Sequence, residues 1–386
     1  MTSRHQKFDL AIVGAGIVGL AHALAAIRRG LSVVVIDRDA QANGASVRNF
    51  GFVTVSGQER GQVWRRAMRS RDIWLEVAAP AGIEVIQRGL VVVARRPEAR
   101  SVVEAFLQTE MGEGCLLLEP DALRRDHPEL AGRNFAGGLW SPHDVRVESR
   151  QAIPRLAAFL AEKHGVEFRR ETAVRSIEPP DIETSRGPVF ADKVIVCPGD
   201  DLATLYPDRI AQYGVTRCKL QMMRLADPGF RLPAAVMSDL GLARYSGYAA
   251  LPEAAALRSR LEVEQGDALD NGVHLIVVQS ADGTLVVGDS HHYATTPDPF
   301  ASARVDDLIL EEFSAVFGGP PPPVLERWTG IYASATGQTM FADAPREGMR
   351  LVMITSGTGA STSFAIAEEV VDELFGSTTA DARKIA

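Results

Sequence analysis

Gly14, Gly16 and Gly19, followed by the acid Asp37, are the first residues whose types and spacing can do chemistry. In a G-x-G-x-x-G run the first glycine permits a tight turn and the second lets backbone approach a pyrophosphate. The third lets a helix pack closely on its sheet. The N–H groups and dipole at that helix's start face the phosphates, so Gly14, Ala15, Gly16, Ile17, Val18 and Gly19 read as a diphosphate loop. Asp37 lies eighteen residues past Gly19, where a carboxylate accepts both ribose hydroxyls. The motif serves nicotinamide and flavin dinucleotides alike, and the acid disfavours only a phosphorylated ribose.

A second glycine loop lies near the other end of the chain. Residues 351–355 read as a strand and 363–375 as a helix. Between them Gly357, Thr358, Gly359, Ala360, Ser361 and Thr362 present a second helix start to negative charge. In a reduced flavin such charge develops at N1 and O2 of the pyrimidine, and stabilising it raises the ring's electron affinity.

These loops need strands to hold them. Residues 8–13 and 31–36 read as buried strands on either side of a helix over 18–29, a β-α-β unit. Residues 62–79 and 151–164 read as helices, and 90–93, 166–169, 191–197, 219–225, 274–279 and 284–287 as strands. The last two strands are joined through the Asp282-Gly283 turn, and the prolines at 320–323 break the chain before its closing segment. This order predicts an α/β fold of two interleaved lobes. A Rossmann-type cofactor lobe with a parallel sheet takes 1–85, 145–215 and 325–386; an α+β substrate lobe with a mixed or antiparallel sheet takes 86–144 and 216–324.

A chain of 386 residues exceeds what one hydrophobic core usually organises, in keeping with two lobes. A net charge of -8 leaves no basic surplus to neutralise nucleic-acid phosphates. Cys115, Cys197 and Cys218 are odd in number and lack C-x-x-C spacing, so neither a disulfide framework nor a metal site is expected. That cysteine usage fits a reducing cytoplasm. A strand at the very start leaves no room for a signal peptide, and no apolar stretch reaches the length of a membrane span.

The chain resembles the glycine oxidase, D-amino-acid oxidase and sarcosine oxidase family of FAD-dependent amine oxidoreductases. The resemblance rests on IVGAGIVG with Asp37-Arg38, GASVRNFG at 44–51, ADKVIVCPG at 191–199, GDSH at 288–291, RWTG at 327–330 and SGTGAST at 356–362. It implies a non-covalent FAD, since no cysteine matches a position of covalent attachment. By the same resemblance Ser46, Arg48, Asn49 and Gly51 lie beside the flavin and its phosphates, and Val174 holds the adenine through its backbone. Arg38, Cys197, Pro198, Gly199 and Gly330 complete the implied cofactor contacts.

Two departures bear on the substrate. Where the amino-acid oxidases of the family carry G-[LI]-R-P, this chain has Gly330-Ile-Tyr332-Ala333, so the arginine that forks onto a carboxylate is missing. Where monomeric sarcosine oxidases carry a lysine that promotes attack by oxygen, Val286 stands, which leaves the acceptor as oxygen or another oxidant. TRCKLQM at 216–222, the run at 274–291, GIYAS at 330–334 and GTGAST are similar to a narrower branch, proposed to act on 2-aminoethylphosphonate derivatives such as the N-methyl form. The resemblance implies a small anionic amine, oxidised to an imine that hydrolyses to phosphonoacetaldehyde and an amine.

A phosphonate asks for cationic and hydroxyl donors. Arg217 and Lys219, two apart on one strand face, and His274, His291 and Tyr332 are the expected contacts, with Tyr332 standing where the arginine would be. Arg217 and Lys219 also fit a solvated strand face, Tyr245 and Tyr248 a lid or core, and Arg48 either cofactor or substrate. Two alternatives stand beside this reading. One is a sarcosine-, glycine- or D-amino-acid-type oxidase anchored by Arg217 or Arg244; the other is a non-catalytic flavoprotein subunit.

Overall fold

The protein is described here by a computed structural model covering residues 6–130 and 135–376. Strand β1 (Lys7–Val13), helix α1 (Ile17–Ile27) and strand β2 (Val33–Ile36) form the first unit. β1 and β2 run parallel with Leu10 opposite Val33, and every residue of β2 is buried. An unalternating apolar run is what a sheet covered on both faces requires. α1 is buried almost all round because it packs on the sheet, on the helix Ser149–His164 and on the helix Gly359–Phe375.

The first sheet continues this unit. Its order is Met340–Asp343, Met349–Ile354, Val189–Val196, β1, β2 and Glu167–Arg169, with a hairpin of Val174–Glu178 and Asp181–Thr184 attached. All its long pairings are parallel except those of Met340–Asp343 and the hairpin. The second sheet is mainly antiparallel. Toward one end of it lies the strand Thr216–Leu225, paired along its whole length with Val324–Ser334 and on its other edge with both Leu285–Gly288 and His292–Ala294. It continues through Ile276–Gln279, Ala235–Ser238, Val85–Ala94 and Gly137–Val147 to Phe52–Val53.

The chain therefore passes between the sheets repeatedly. Two of its crossings differ from the sequence expectation. Phe52–Val53 already belongs to the second sheet, and Val324–Ser334 stays in it until Ser334 rather than leaving at 325. The reason is the near-unbroken ladder from Thr216 opposite Ser334 to Leu225 opposite Val324, which no residue could leave without losing paired backbone groups. The helices Pro97–Leu107, Ala254–Asp270 and Ala303–Phe317 border the second sheet's apolar core, and separate cores fill the two faces of the first. Among the described residues no helix is long and apolar enough to cross a membrane.

Glycines set how closely these layers approach. Gly14 has φ +105°, and a Cβ there would overlap the Cys197 carbonyl oxygen of the neighbouring strand's end. A Cβ on Gly19 would overlap the Gly14 carbonyl, which locks α1 against the turn that precedes it. Gly19→Ala is expected to cost about 1–3 kcal/mol, the usual penalty of overpacking. A lowered urea midpoint with an unchanged slope would register it.

Candidate active site

A cavity of about 630 Å³ runs from the first sheet's strand ends into the space beside the second sheet. Gly14, Gly16, Ile17, Val18, Gly19, Asp37 and Arg38 line it, together with Ser46, Arg48, Asn49, Val174, Cys197, Pro198 and Gly199. Gly330, Gly357, Thr358, Gly359, Ala360 and Ser361 continue the wall toward the second sheet. Three residues assigned to the cofactor from sequence lie off that wall. The Ala15 amide donates to Asp37 Oδ2 at 2.6 Å, and the Thr362 hydroxyl donates to the Thr358 carbonyl at 3.0 Å. A Cβ on Gly51 would overlap the Val147 carbonyl.

Local hydrogen bonds fix the two glycine loops. Ser46 Oγ accepts the Ile17 N–H at 2.9 Å, in the place of an N-cap that α1 lacks. Trp74 Nε1 donates to the Ala360 carbonyl at 2.8 Å and Ser361 Oγ accepts the Thr54 N–H at 2.9 Å, tying down the start of Gly359–Phe375. A Cβ on Gly359 would stand 3.4 Å from Ile17, so the two helix starts converge. Gly357 has φ +71°, and its missing Cβ would sit 3.0 Å from the Tyr332 ring. A side chain there would push Tyr332 across the cavity.

The cavity's other half carries the titratable groups. Arg244, Tyr245, His274, Asp289, His291, Tyr293 and Tyr332 all line it. Arg244 Nη2 donates to the Tyr293 hydroxyl at 2.9 Å, and His274 Nε2 lies 3.3 Å from the Tyr245 hydroxyl. Asp289 Oδ1 is 3.4 Å from His274 Nδ1, and its Oδ2 is 3.9 Å from His291 Nε2. His291 Nδ1 donates to the Gly272 carbonyl at 2.9 Å, and the two imidazoles stack with centroids 5.1 Å apart. Burial, reinforced by the Arg244 charge, holds both histidines well below their ordinary pKa. Burial pushes Asp289 up to about 7 while Arg244 opposes it, and burial likewise holds Tyr332 well above its ordinary value. Burial works against the Arg244 charge, but Tyr293, Tyr332 and Asp289 more than offset it, and its pKa is raised.

Arg217 and Lys219 correct the sequence reading. They do share one face of Thr216–Leu225, but Leu220 and Met222, on the opposite parity, face the cavity. Arg217 donates to the Asp200 carbonyl at 2.9 Å and to the Thr295 carbonyl at 2.5 Å. Lys219 Nζ donates to the carbonyls of Asp298 and Phe300, both at 2.7 Å. Gln221 completes the row, donating to the Ser302 carbonyl at 3.0 Å and accepting its N–H at 2.8 Å. These side chains grip the segment that leads away from Tyr293 and His292. Tyr248 is core, packed on Phe106, whereas Tyr245 reaches the cavity. Asp289 and Tyr293 had no assigned role from sequence. The available signal for Asp289 was an acid set directly after an apolar run, inside the quoted GDSH.

A family model described as FAD dependent oxidoreductase matches residues 9–373. The bifunctional protein ThiO/ThiG of Nostoc sp. is 27% identical over 232 residues, covering 57% of this chain and 34% of that protein. The monomeric sarcosine oxidase of Bacillus sp. is 26% identical over 200 residues, 50% of this chain and 51% of that protein. The matched part of the chain thus spans about a third of the first relative and about half of the second. The crystal structure of glycine oxidase from Bacillus cereus superposes with a TM-score of 0.75 at 17% identity, covering 96% of this chain and 95% of that one. The cavity fits the family's FAD. Two helix starts with backbone exposed at glycines stand on its wall, and Asp37 stands beside the first.

Lys219→Met is expected to free the 295–302 segment by removing two charge-assisted bonds, about 2–3 kcal/mol. Faster amide exchange confined to that segment, with the flavin retained, is the expected reading; unchanged exchange would refute the grip.

Proposed function

The chain belongs to the DAO family of FAD-dependent oxidoreductases, and we propose that it oxidises the carbon–nitrogen bond of a small anionic amine. When bound, FAD supplies the two-electron acceptor for a hydride leaving the carbon next to nitrogen. The protein's own part is to fix that carbon and to exclude competing poses.

Arg244 carries this reading. Its guanidinium stands on the cavity wall, hydrogen-bonded to a phenol, and among the described residues no carboxylate lies within ion-pair distance of it. Beside it His274 and His291 are held neutral. A cation with no anionic partner at contact leaves a place for a negatively charged ligand group.

The substrate we favour is a 2-aminoethylphosphonate derivative, the N-methyl form first. Three phosphonate oxygens take more donors than a carboxylate does, and the Arg244 fork is accompanied by the hydroxyls of Tyr245, Tyr293 and Tyr332. Oxidation gives an imine, and water then breaks the C–N bond to yield phosphonoacetaldehyde and methylamine. The names of the sarcosine oxidase and glycine oxidase relatives favour a second reading, in which the same fork binds an amino-acid carboxylate.

Anaerobic mixing of the yellow holoenzyme with single amines separates these readings. N-methyl-2-aminoethylphosphonate is expected to bleach the flavin. Bleaching by sarcosine or D-alanine with none by the phosphonate would overturn the substrate, and bleaching by no amine would overturn the activity. Arg244→Met is expected to weaken substrate binding about 100-fold while FAD stays bound, the scale of a lost charge-assisted contact. Equal loss of both ligands would make Arg244 structural.

A further inference from the structure

We propose that Asp289, held between His274 and His291, takes the proton from the substrate's ammonium group before the C–N bond is oxidised. The inference rests on the amine-oxidation reading and deepens it.

An alkylamine in water has a pKa of about 10, so it reaches the enzyme protonated. A nitrogen whose lone pair holds a proton cannot assist the departure of a hydride from its neighbouring carbon, so a group in the cavity must accept that proton. Arg244 cannot accept it, and the phenols of Tyr245 and Tyr332 have pKa values raised by burial. Asp289, His274 and His291 remain. All three are buried on the cavity wall, with one polar atom of each inside a 4.8 Å cluster.

The geometry singles out Asp289. Its Oδ1 and the Nδ1 of His274 are buried without a hydrogen-bond partner, although they face each other at 3.4 Å. Unpaired polar atoms at this depth are costly, and a proton between the two would relieve both. His291 donates from Nδ1 to the Gly272 carbonyl, which leaves its Nε2 lone pair toward Asp289 Oδ2 at 3.9 Å. A proton arriving on Asp289 thus finds imidazole nitrogens with which to share it. Burial makes Asp289, at about 7, the strongest base of the three, because it lowers both histidines. The charged and titratable neighbours that set this are Arg244, Tyr245, His274, His291 and the Cys218 thiol on the strand Thr216–Leu225. The Arg244 guanidinium disfavours a metal cation at the cluster, and it opposes protonation of Asp289 without cancelling the effect of burial.

The step balances without an oxidant. The substrate N–H bond breaks, an O–H bond forms on Asp289, the ammonium becomes a neutral amine and the carboxylate becomes a carboxylic acid. Arg244 and ionised Asp289, both on this wall, also make the cavity complementary to a molecule bearing both an anion and an ammonium.

Stopped-flow flavin reduction by N-methyl-2-aminoethylphosphonate and by sarcosine, followed across neutral to alkaline pH, tests this on the full-length holoenzyme. In the wild type the reduction rate should rise with pH through about 7, as the carboxylate forms. Asp289→Asn should slow reduction at neutral pH by about 100-fold or more and move the rising limb toward the amine's own pKa, about 10. A merely structural role would not move the limb. An unshifted limb in Asp289→Asn overturns the proposal alone. If that variant loses FAD, the wild type still decides, since a single limb near the amine's pKa overturns it. Failure of every amine to reduce the wild type overturns the amine-oxidation reading and this inference together.

Discussion

Backbone approaching backbone where no side chain fits is the constraint on which the site depends. Gly14 against the Cys197 carbonyl, Gly19 against Gly14 and Gly51 against Val147 are contacts that a single Cβ would prevent. The first two draw the parallel strand ends and α1 together, and the helix Gly359–Phe375 starts against Ile17 of α1. Two helix starts then converge on one cavity, and their dipoles add a field favourable to negative charge at two separate places. The 17-residue helix Gly359–Phe375 is further pinned by the Trp74 and Ser70 side chains and the Thr54 N–H, so its first turns are fixed by groups from outside its own segment. That rigidity matters because positioning is the protein's main contribution to a hydride transfer.

Desolvation decides the chemistry at the cavity's other end. Water would leave Asp289 ionised and the histidines partly charged at neutral pH. Burial moves Asp289 toward neutrality and strips the histidines of charge, while Arg244 keeps its own through the phenols around it. The outcome is one fixed positive charge, one switchable negative one and a set of neutral donors. Such a set discriminates by charge placement, because any ligand that leaves Arg244 or Asp289 unmatched bears the full cost of a buried, uncompensated ion.

The cofactor half of the fold could be read from sequence because parallel, doubly covered strands write themselves as apolar runs. β1, β2, Val189–Val196 and Met349–Ile354 all lie within a few residues of their expected places. The helices Ala254–Asp270 and Ala303–Phe317 could not, for a physical reason. The first buries only Ala254, Leu257, Leu261 and Ala268 and kinks at Gln265, so its apolar stripe is thin. The second places Asp306 and Glu312 on its buried face, where Arg327 and Gln221 bond Asp306, and Arg95 and Gln265 bond Glu312 Oε2. No local pattern announces partners that arrive from other elements. Arg244 follows a short 3-10 turn and Tyr293 sits on a three-residue edge strand, so their meeting is likewise a product of tertiary structure alone.

Thr216–Leu225 shows how a correct local rule can serve a different end. Alternation put Arg217 and Lys219 on one face, and they are on one face. A strand that borders a cavity for a flat, largely apolar ring gives it the apolar face, here Leu220 and Met222, and the cations go to the other side. There they do what unpaired carbonyls of an irregular segment require: they supply donors to Thr295, Asp298 and Phe300. That segment follows directly from the edge strand carrying Tyr293, and Tyr293 in turn meets Arg244. The charges expected to hold the substrate thus act at one remove, steadying the strand whose phenol orients the arginine that faces the cavity.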